Sequence, residues 1–435
     1  MWKSRVAASI HEGISLFRKY PMELFMGLVT FMLICRFIAI EEHVVVTQSA
    51  SCADFFFVAS LSLLAFVLGD LKGYVVRILY FFIPVLLLAV WLSFGLSRYV
   101  TTCEVQFYTW FAIVALAFWW VSSSDNRLFA QRTASKIRSL FYASVVGLLS
   151  FLLFLGIDYS IRYIFDAMVE LSTVEMYVGV FLLCVVPLFV FLSFDERQPF
   201  LSRYPHFVNV LLKFVVTPAL LIYNLIFYVY LAKILVTGSL PKGGIAVFAL
   251  IYIFTALACK VLSELSAEHP FSWFYRYFRY IALPAVLMFW WATAYRIQAY
   301  GFTQPRVYLV VLGVAMTVIL LLLICRRMTP YRYFILVVAV GLAAVAYVPS
   351  FTASDIERRS QYARFDALLV QRGLLDENGK IIPERLEAEK AGVVLSERAT
   401  DNFWQLLSYM QWTARGGADY VAEKYGYTFE ELNNK

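Results

Sequence analysis

Along most of this chain, apolar stretches about as long as a bilayer is thick follow one another with short polar breaks between them. A helix rises 1.5 Å per residue and needs about 20 apolar residues to cross a hydrocarbon core of about 30 Å. Inside that core each backbone N–H and C=O must find its partner within the protein, so continuous apolar runs of this length span as helices. Eleven stretches qualify: residues 21–40, 53–69, 78–96, 104–121, 140–157, 176–194, 207–235, 245–259, 280–294, 307–325 and 333–348. The shorter ones borrow flanking aromatics to complete the span. The sequence predicts an all-α, polytopic integral membrane helix bundle of about eleven transmembrane helices. Composition agrees, since only 15% of the 435 residues are charged, against about 25% in a soluble domain.

Three regions follow. Residues 1–20 read as a cytoplasmic amphipathic interfacial helix, with Trp2, Val6, Ile10, Ile14 and Phe17 at helical spacing and Lys3, Arg5, Arg18 and Lys19 supplying charge. No small-residue cleavage site follows the first apolar run, so no cleaved signal peptide is expected. Residues 21–350 form the transmembrane domain. Residues 351–435 change character and predict a small helical tail. In that tail, residues 355–373 and 396–409 read as helices, Asp376-Glu377-Asn378-Gly379 as a turn, and Gly416-Gly417 as a break before a short last helix.

The basic residues set the orientation. Every second connection, counted from the N-terminal arm, is rich in Lys and Arg; these connections carry eighteen and the intervening ones six. The positive-inside rule then places the N-terminus in the cytoplasm. With an odd number of spans, it places the tail and the turn at residues 295–306 outside. The net charge of +7 is explained by this bias. No interleaved basic and aromatic soluble patch points to nucleic acid.

That outer turn, Tyr295-Arg296-Ile297-Gln298-Ala299-Tyr300-Gly301-Phe302-Thr303-Gln304-Pro305-Arg306, joins two apolar runs. Gly301 suits a left-handed residue just past a helix end, Thr303 an N-cap and Pro305 a first helical turn. One reading is an interfacial turn with snorkelling arginines and an aromatic belt. The other is a cationic pocket for an anionic lipid or a phosphate-bearing ligand, made by Arg296, Tyr300 and Arg306, because guanidinium groups fork onto phosphate and carboxylate.

Polar residues inside the membrane need a reason, since each charge at the centre costs about 2.5–3.5 kcal/mol or more. Glu23, Arg36 and Asp54 lie near span ends, where snorkelling accounts for them. The seventh span carries Lys213, Pro218 and Asn224. It reads either as a kink with an interhelical hydrogen bond or as the wall of a polar cavity in which Asn224 and Lys213 bind ligand. Glu41 and Glu42, in the first outer loop, read mainly as solvated acids; a membrane enzyme acting on lipid-linked sugars would use such a carboxylate as a base.

The four histidines are scattered, and no metal-ligand spacing is visible. Neither a nucleotide loop, a G-x-S-x-G elbow nor an H-E-x-x-H helix is present, so no cofactor is expected. Four of the six cysteines lie in apolar runs. Cys52 and Cys103 fall near outer helix ends, where a disulfide and two free thiols are both open.

The string Arg296-Ile297-x-x-Tyr300-Gly301-x-Thr303-x-x-Arg306 resembles the signature of a bacterial multi-pass family, the domain of unknown function 4153 family. Lys19-Tyr20-Pro21, Thr217-Pro218 through Tyr230, and Leu240-Pro241-Lys242-Gly243 are similar to that family too. The resemblance implies a protein of the bacterial cytoplasmic (inner) membrane and brings no activity, substrate or catalytic residue with it. The residues themselves favour a transporter- or permease-like protein, or an accessory subunit of a membrane complex. The lipid-linked-sugar enzyme, and a scaffold whose tail docks an extracytoplasmic protein, are the alternatives.

Overall fold

A computed structural model of the chain describes residues 15–41, 48–71, 73–96, 104–120, 125–164, 173–194, 212–237, 244–265, 271–325, 330–386, 402–413 and 416–429. The helices are α1 (Pro21–Glu41), α2 (Gln48–Asp70), α3 (Tyr74–Phe94), α4 (Glu104–Phe118), α5 (Asn126–Ile164), α6 (Thr173–Val180), α7 (Val186–Phe194), α8 (Thr217–Thr237), α9 (Ile245–Ser263), α10 (Ser272–Ile281), α11 (Leu283–Tyr300), α12 (Gln304–Cys325), α13 (Arg332–Tyr347), α14 (Ala353–Gln371), α15 (Asn402–Ser408) and α16 (Gly417–Tyr425). Among the described residues there is no β-strand, and one isolated antiparallel bridge joins Leu375 to Ile381.

A helix runs through each of the eleven apolar stretches. By length and hydropathy, six segments among the described residues qualify as spans: Tyr74–Phe94, Asn126–Tyr159, Val174–Phe194, Leu212–Thr237, Ile245–Ser263 and Gln304–Cys325. The chain is an all-α membrane protein. The reading of residues 280–294 as one span changes at its start. Residues 272–281 form the separate helix α10, strongly amphipathic, with Phe274, Tyr275 and Phe278 buried and Trp273, Tyr277 and Tyr280 exposed. It ends at Ile281, with Ala282 alone between it and Leu283, and Pro284 sits in the first turn of α11, where its missing N–H costs nothing. Two π-helical turns, Phe181–Val185 and Leu212–Val216, lead into α7 and α8. Only residues 15–19 of the N-terminal amphipathic stretch are described, and they are helical. Cys103 and the Cys52 side chain lie outside the described residues.

Contacts divide the chain into two units. The first comprises Met1–Leu225, Tyr252–Ala282 and Val318–Ala343; the second comprises Ile226–Ile251, Leu283–Thr317 and Ala344–Lys435. In the first unit, α1 serves two cores. Met22 and Met26, one helical turn apart, pack with Phe57, Leu61, Tyr80 and Trp91. Leu24, with Tyr20 just before the helix, packs with Phe66, Phe118, Phe191 and Leu192. Helices in lipid associate by close packing rather than by exclusion of water. Two glycines permit it here: a Cβ at Gly27 would collide with the Leu188 side chain, and one at Gly147 with the Pro187 ring.

In the second unit, α12 and α13 meet the start of α14 through Val307, Val345 and Ala353. Thr352 caps α14, its Oγ1 accepting the Asp355 N–H at 3.2 Å. The tail then builds its own core from Phe365, Leu369, Phe403, Leu407, Met410, Val421 and Tyr425, with Phe365 and Phe403 stacked at 6.3 Å. A clasp ties α14 to α16. The Asp366 carboxylate accepts Tyr425 Oη at 2.7 Å, Tyr420 Oη at 2.9 Å and Lys424 Nζ at 2.6 Å. Asp376 Oδ1 accepts the Asn378 and Lys380 N–H groups and closes the turn read from the sequence.

Candidate functional site

The turn at residues 295–306 is built around the end of α11. Gly301 has φ +66° and donates its N–H to Ile297 O at 2.8 Å, the left-handed helix end expected of it. Helix α12 begins at the next turn, with Val307 N donating to Thr303 O at 3.0 Å. A helix C-terminus leaves carbonyls without intrahelical partners and carries partial negative charge. Here cations answer it. Arg306 Nη1 donates to Gly301 O at 2.8 Å and to Tyr300 O at 3.3 Å, and its guanidinium lies 5.4 Å over the Tyr300 ring.

The tail helix α14 completes the turn. Arg364 Nη1 also donates to Tyr300 O, and its Nη2 donates to Ala299 O at 3.1 Å. Gln361 Nε2 donates to Phe302 O at 2.6 Å, and Ser360 Oγ accepts the Phe302 N–H at 2.9 Å. Glu357 accepts Gln304 Nε2 at 2.9 Å. A Cβ at Gly301 would lie 2.6 Å from Arg364 Cδ and 2.9 Å from Ser360 Oγ. Burial draws the Arg364 guanidinium down from its ordinary value. Arg296 is exposed on α11, four residues before its end, and lies within electrostatic range of Arg306.

Of the residues singled out from the sequence, the structure therefore brings Tyr300 and Arg306 into direct contact, with Arg296 within electrostatic reach. Asn224 and Lys213 belong to the other unit. Asn224 Oδ1 accepts Tyr252 Oη at 3.1 Å, and Lys213 lies half-buried in the π-helical turn before α8. Thr217, just before Pro218, is fully buried and shares a 2.7 Å hydrogen bond with Tyr275 Oη. Glu41 ends α1, but its side chain, like all of Glu42, lies outside the described residues.

Snorkelling does not account for Glu23 or Asp54. Glu23 is 1% exposed and its Oε2 accepts Tyr80 Oη, while Trp91 Nε1 donates to Asp54 Oδ1 at 2.7 Å. Both carboxylates turn inward because neighbouring spans supply donors. Residues 357, 360, 361 and 364 were also missed as partners of the turn. Their one signal is spacing: three, one and three residues apart, they form a polar stripe beside the apolar face of α14.

The sequence profile described as Domain of unknown function (DUF4153) matches residues 55–375, well over half of the chain. The chain belongs to this family. It is also similar to Uncharacterized protein PM1469 of Pasteurella multocida (strain Pm70), at 31% identity over 315 residues, which cover 70% of this chain and 53% of that one. The chain thus spans about half the length of that curated relative. No solved structure matches it. The matched segment takes in all three arginines of the turn, the third being Arg364 of the tail.

Proposed function

We propose that this chain is a bacterial inner-membrane protein, transporter- or permease-like or an accessory subunit of a membrane complex. In this reading its N-terminus is cytoplasmic and its tail extracytoplasmic. Its outer turn binds an anionic lipid headgroup or a free phosphate-bearing ligand through Arg296, Arg306 and Arg364, with Tyr300 beneath.

The observation that carries the reading is the convergence of two guanidinium groups on one oxygen, Tyr300 O. Each guanidinium has five N–H donors. Among the described residues Arg306 donates through Nη1 alone, and Arg364 through Nη1 and Nη2. Donors remain for a phosphate, and a bound anion would relieve the repulsion between the cations. Glu357 works against this, but it is held by Gln304. Asn224 and Lys213, polar groups on a spanning helix, support the transport side of the reading.

Full-length protein in non-ionic maltoside micelles, titrated with phosphatidylglycerol and with inorganic phosphate, separates the two ligand sources. Saturable binding of either, weakened about tenfold in Arg296→Ala (about 1.4 kcal/mol) and weakened further by 0.5 M salt, is the expected result. Equal binding by Arg296→Ala and Arg364→Ala overturns the site. A reporter enzyme fused after Lys435 that is active in the cytoplasm overturns the orientation.

A further inference from the structure

Helix α10 packs against one end of three spans. Tyr275 Oη shares its hydrogen bond with Thr217, close to the start of the Leu212–Thr237 span. Lys260 Nζ, in the last turn of α9, donates to Tyr275 O at 3.2 Å. Arg279 Nη1 donates to Leu323 O at 2.8 Å, in the last turn of α12. All these contacts lie within the first unit. They set α10 at the level where spans leave the hydrocarbon, with Phe274, Tyr275 and Phe278 buried toward the protein.

The opposite face carries Trp273, Arg276, Tyr277 and Tyr280, spaced to form one stripe along the helix. All four are exposed. Among the described residues Arg276 has no ion-pair partner; its guanidinium lies 5.9 Å from the Tyr277 ring. Arg279 is already turned back onto Leu323. The helix contains no acidic residue. Bulk water would leave three large rings wet, and the hydrocarbon would strand an arginine. The border between the two suits both, since Trp and Tyr have an apolar body with a polar tip and settle at headgroup level. An arginine at that level forks onto a lipid phosphate.

We propose that α10 lies in the bilayer surface and binds an anionic phospholipid headgroup through Arg276, with Trp273, Tyr277 and Tyr280 set at the border of headgroups and chains. The arginine turn belongs to the other unit, so either site can fail without the other.

The test uses full-length protein in nanodiscs of phosphatidylcholine and phosphatidylglycerol. The lipid composition is held constant, and bromine, a short-range quencher of indole fluorescence, is placed on the chains of one lipid or of an equal amount of the other. The difference between wild type and Trp273→Phe isolates one indole. Brominated phosphatidylglycerol should occupy its surroundings about fivefold more than brominated phosphatidylcholine at equal mole fraction (about 1 kcal/mol). Arg276→Gln should keep the quenching and bring that ratio close to one. Quenching of Trp273 by neither lipid turns the face toward water or a protein and overturns the proposal. Equal quenching by both in the wild type overturns it too, as does an unchanged ratio in Arg276→Gln. If Trp273→Phe fails to fold, amide exchange across residues 272–281 takes its place: slower exchange in discs containing phosphatidylglycerol than in pure phosphatidylcholine is expected, and equal exchange overturns the proposal. Both leaflets of a disc have the same composition, so this result does not depend on the orientation proposed above.

Discussion

The ends of α4 and α11 are both closed by cations, in opposite ways. At the end of α4, Lys136 Nζ donates to Phe118 O, with the rings of Phe66 and Phe118 beneath it and Asp70 at 4.0 Å. Lys136 is 4% exposed, and Asp70 is shared with Arg132 at 3.4 Å. At the end of α11, Arg306 and Arg364 share the carbonyl of Tyr300 while both remain partly exposed. The first cation is enclosed by its partners. The second pair keeps donors for something else. Burial and spare donors, more than the charge itself, separate a cation that holds a fold from one that can also hold a ligand.

The sharpest test of that contrast is Lys136→Met. It leaves Asp70 without one buried partner and Phe118 O without its donor, and breaking a buried pair this way costs about 3–5 kcal/mol. Thermal unfolding in micelles should show a fall of several degrees; no change would break the comparison on the buried side. Gly301→Ala comes next. A left-handed alanine costs about 1–2 kcal/mol, and its Cβ meets Arg364 and Ser360 as well. The damage should be local, read as faster tryptic cleavage of the tail with little shift in the unfolding of the spans.

Arg306→Met should be milder in stability, about 1 kcal/mol for hydrogen bonds to half-exposed carbonyls. It should nevertheless lose most of the phosphate or phosphatidylglycerol binding. A melt as damaged as that of Lys136→Met would erase the distinction.

The smallest effect is acidification of the tail. Burial alone would raise the Asp366 carboxyl, but hydrogen bonds from Lys424, Tyr425 and Tyr420 outweigh it and hold the group below its ordinary value. A carboxyl depressed in the folded state adds stability in full above its unfolded value of about 3.9, and loses it as pH falls through the folded value. Amide exchange in α14 and α16 should therefore quicken below about pH 4. Asp366→Asn should flatten that acid step while exchanging faster at neutral pH.

Much of this architecture is legible in the residues. The apolar runs mark the helices, and Gly301, Thr303 and Pro305 mark the turn, because these are local requirements of backbone geometry and hydrophobic length. The partners of the turn are not legible. Arg364 reaches Tyr300 from 64 positions away, and its spacing within α14 fits solvent as well as it fits a helix end. Glu23 looks like a span-end residue until Tyr80, 57 positions on, is seen to donate to it. The π-helical turns before α7 and α8 leave no clear mark either, since the helical period is almost kept through them.

The grip of α14 on α11 has a mechanical consequence. Ser360, Gln361 and Arg364 hold the chain from Ala299 to Phe302 by its backbone, whereas the short connection from Val348 to Thr352 is strung through Ser350 at φ 65°. Tension applied to the tail would thus be felt first at the last turn of α11. The tail is geared to that helix by these backbone grips as well as by its covalent tether.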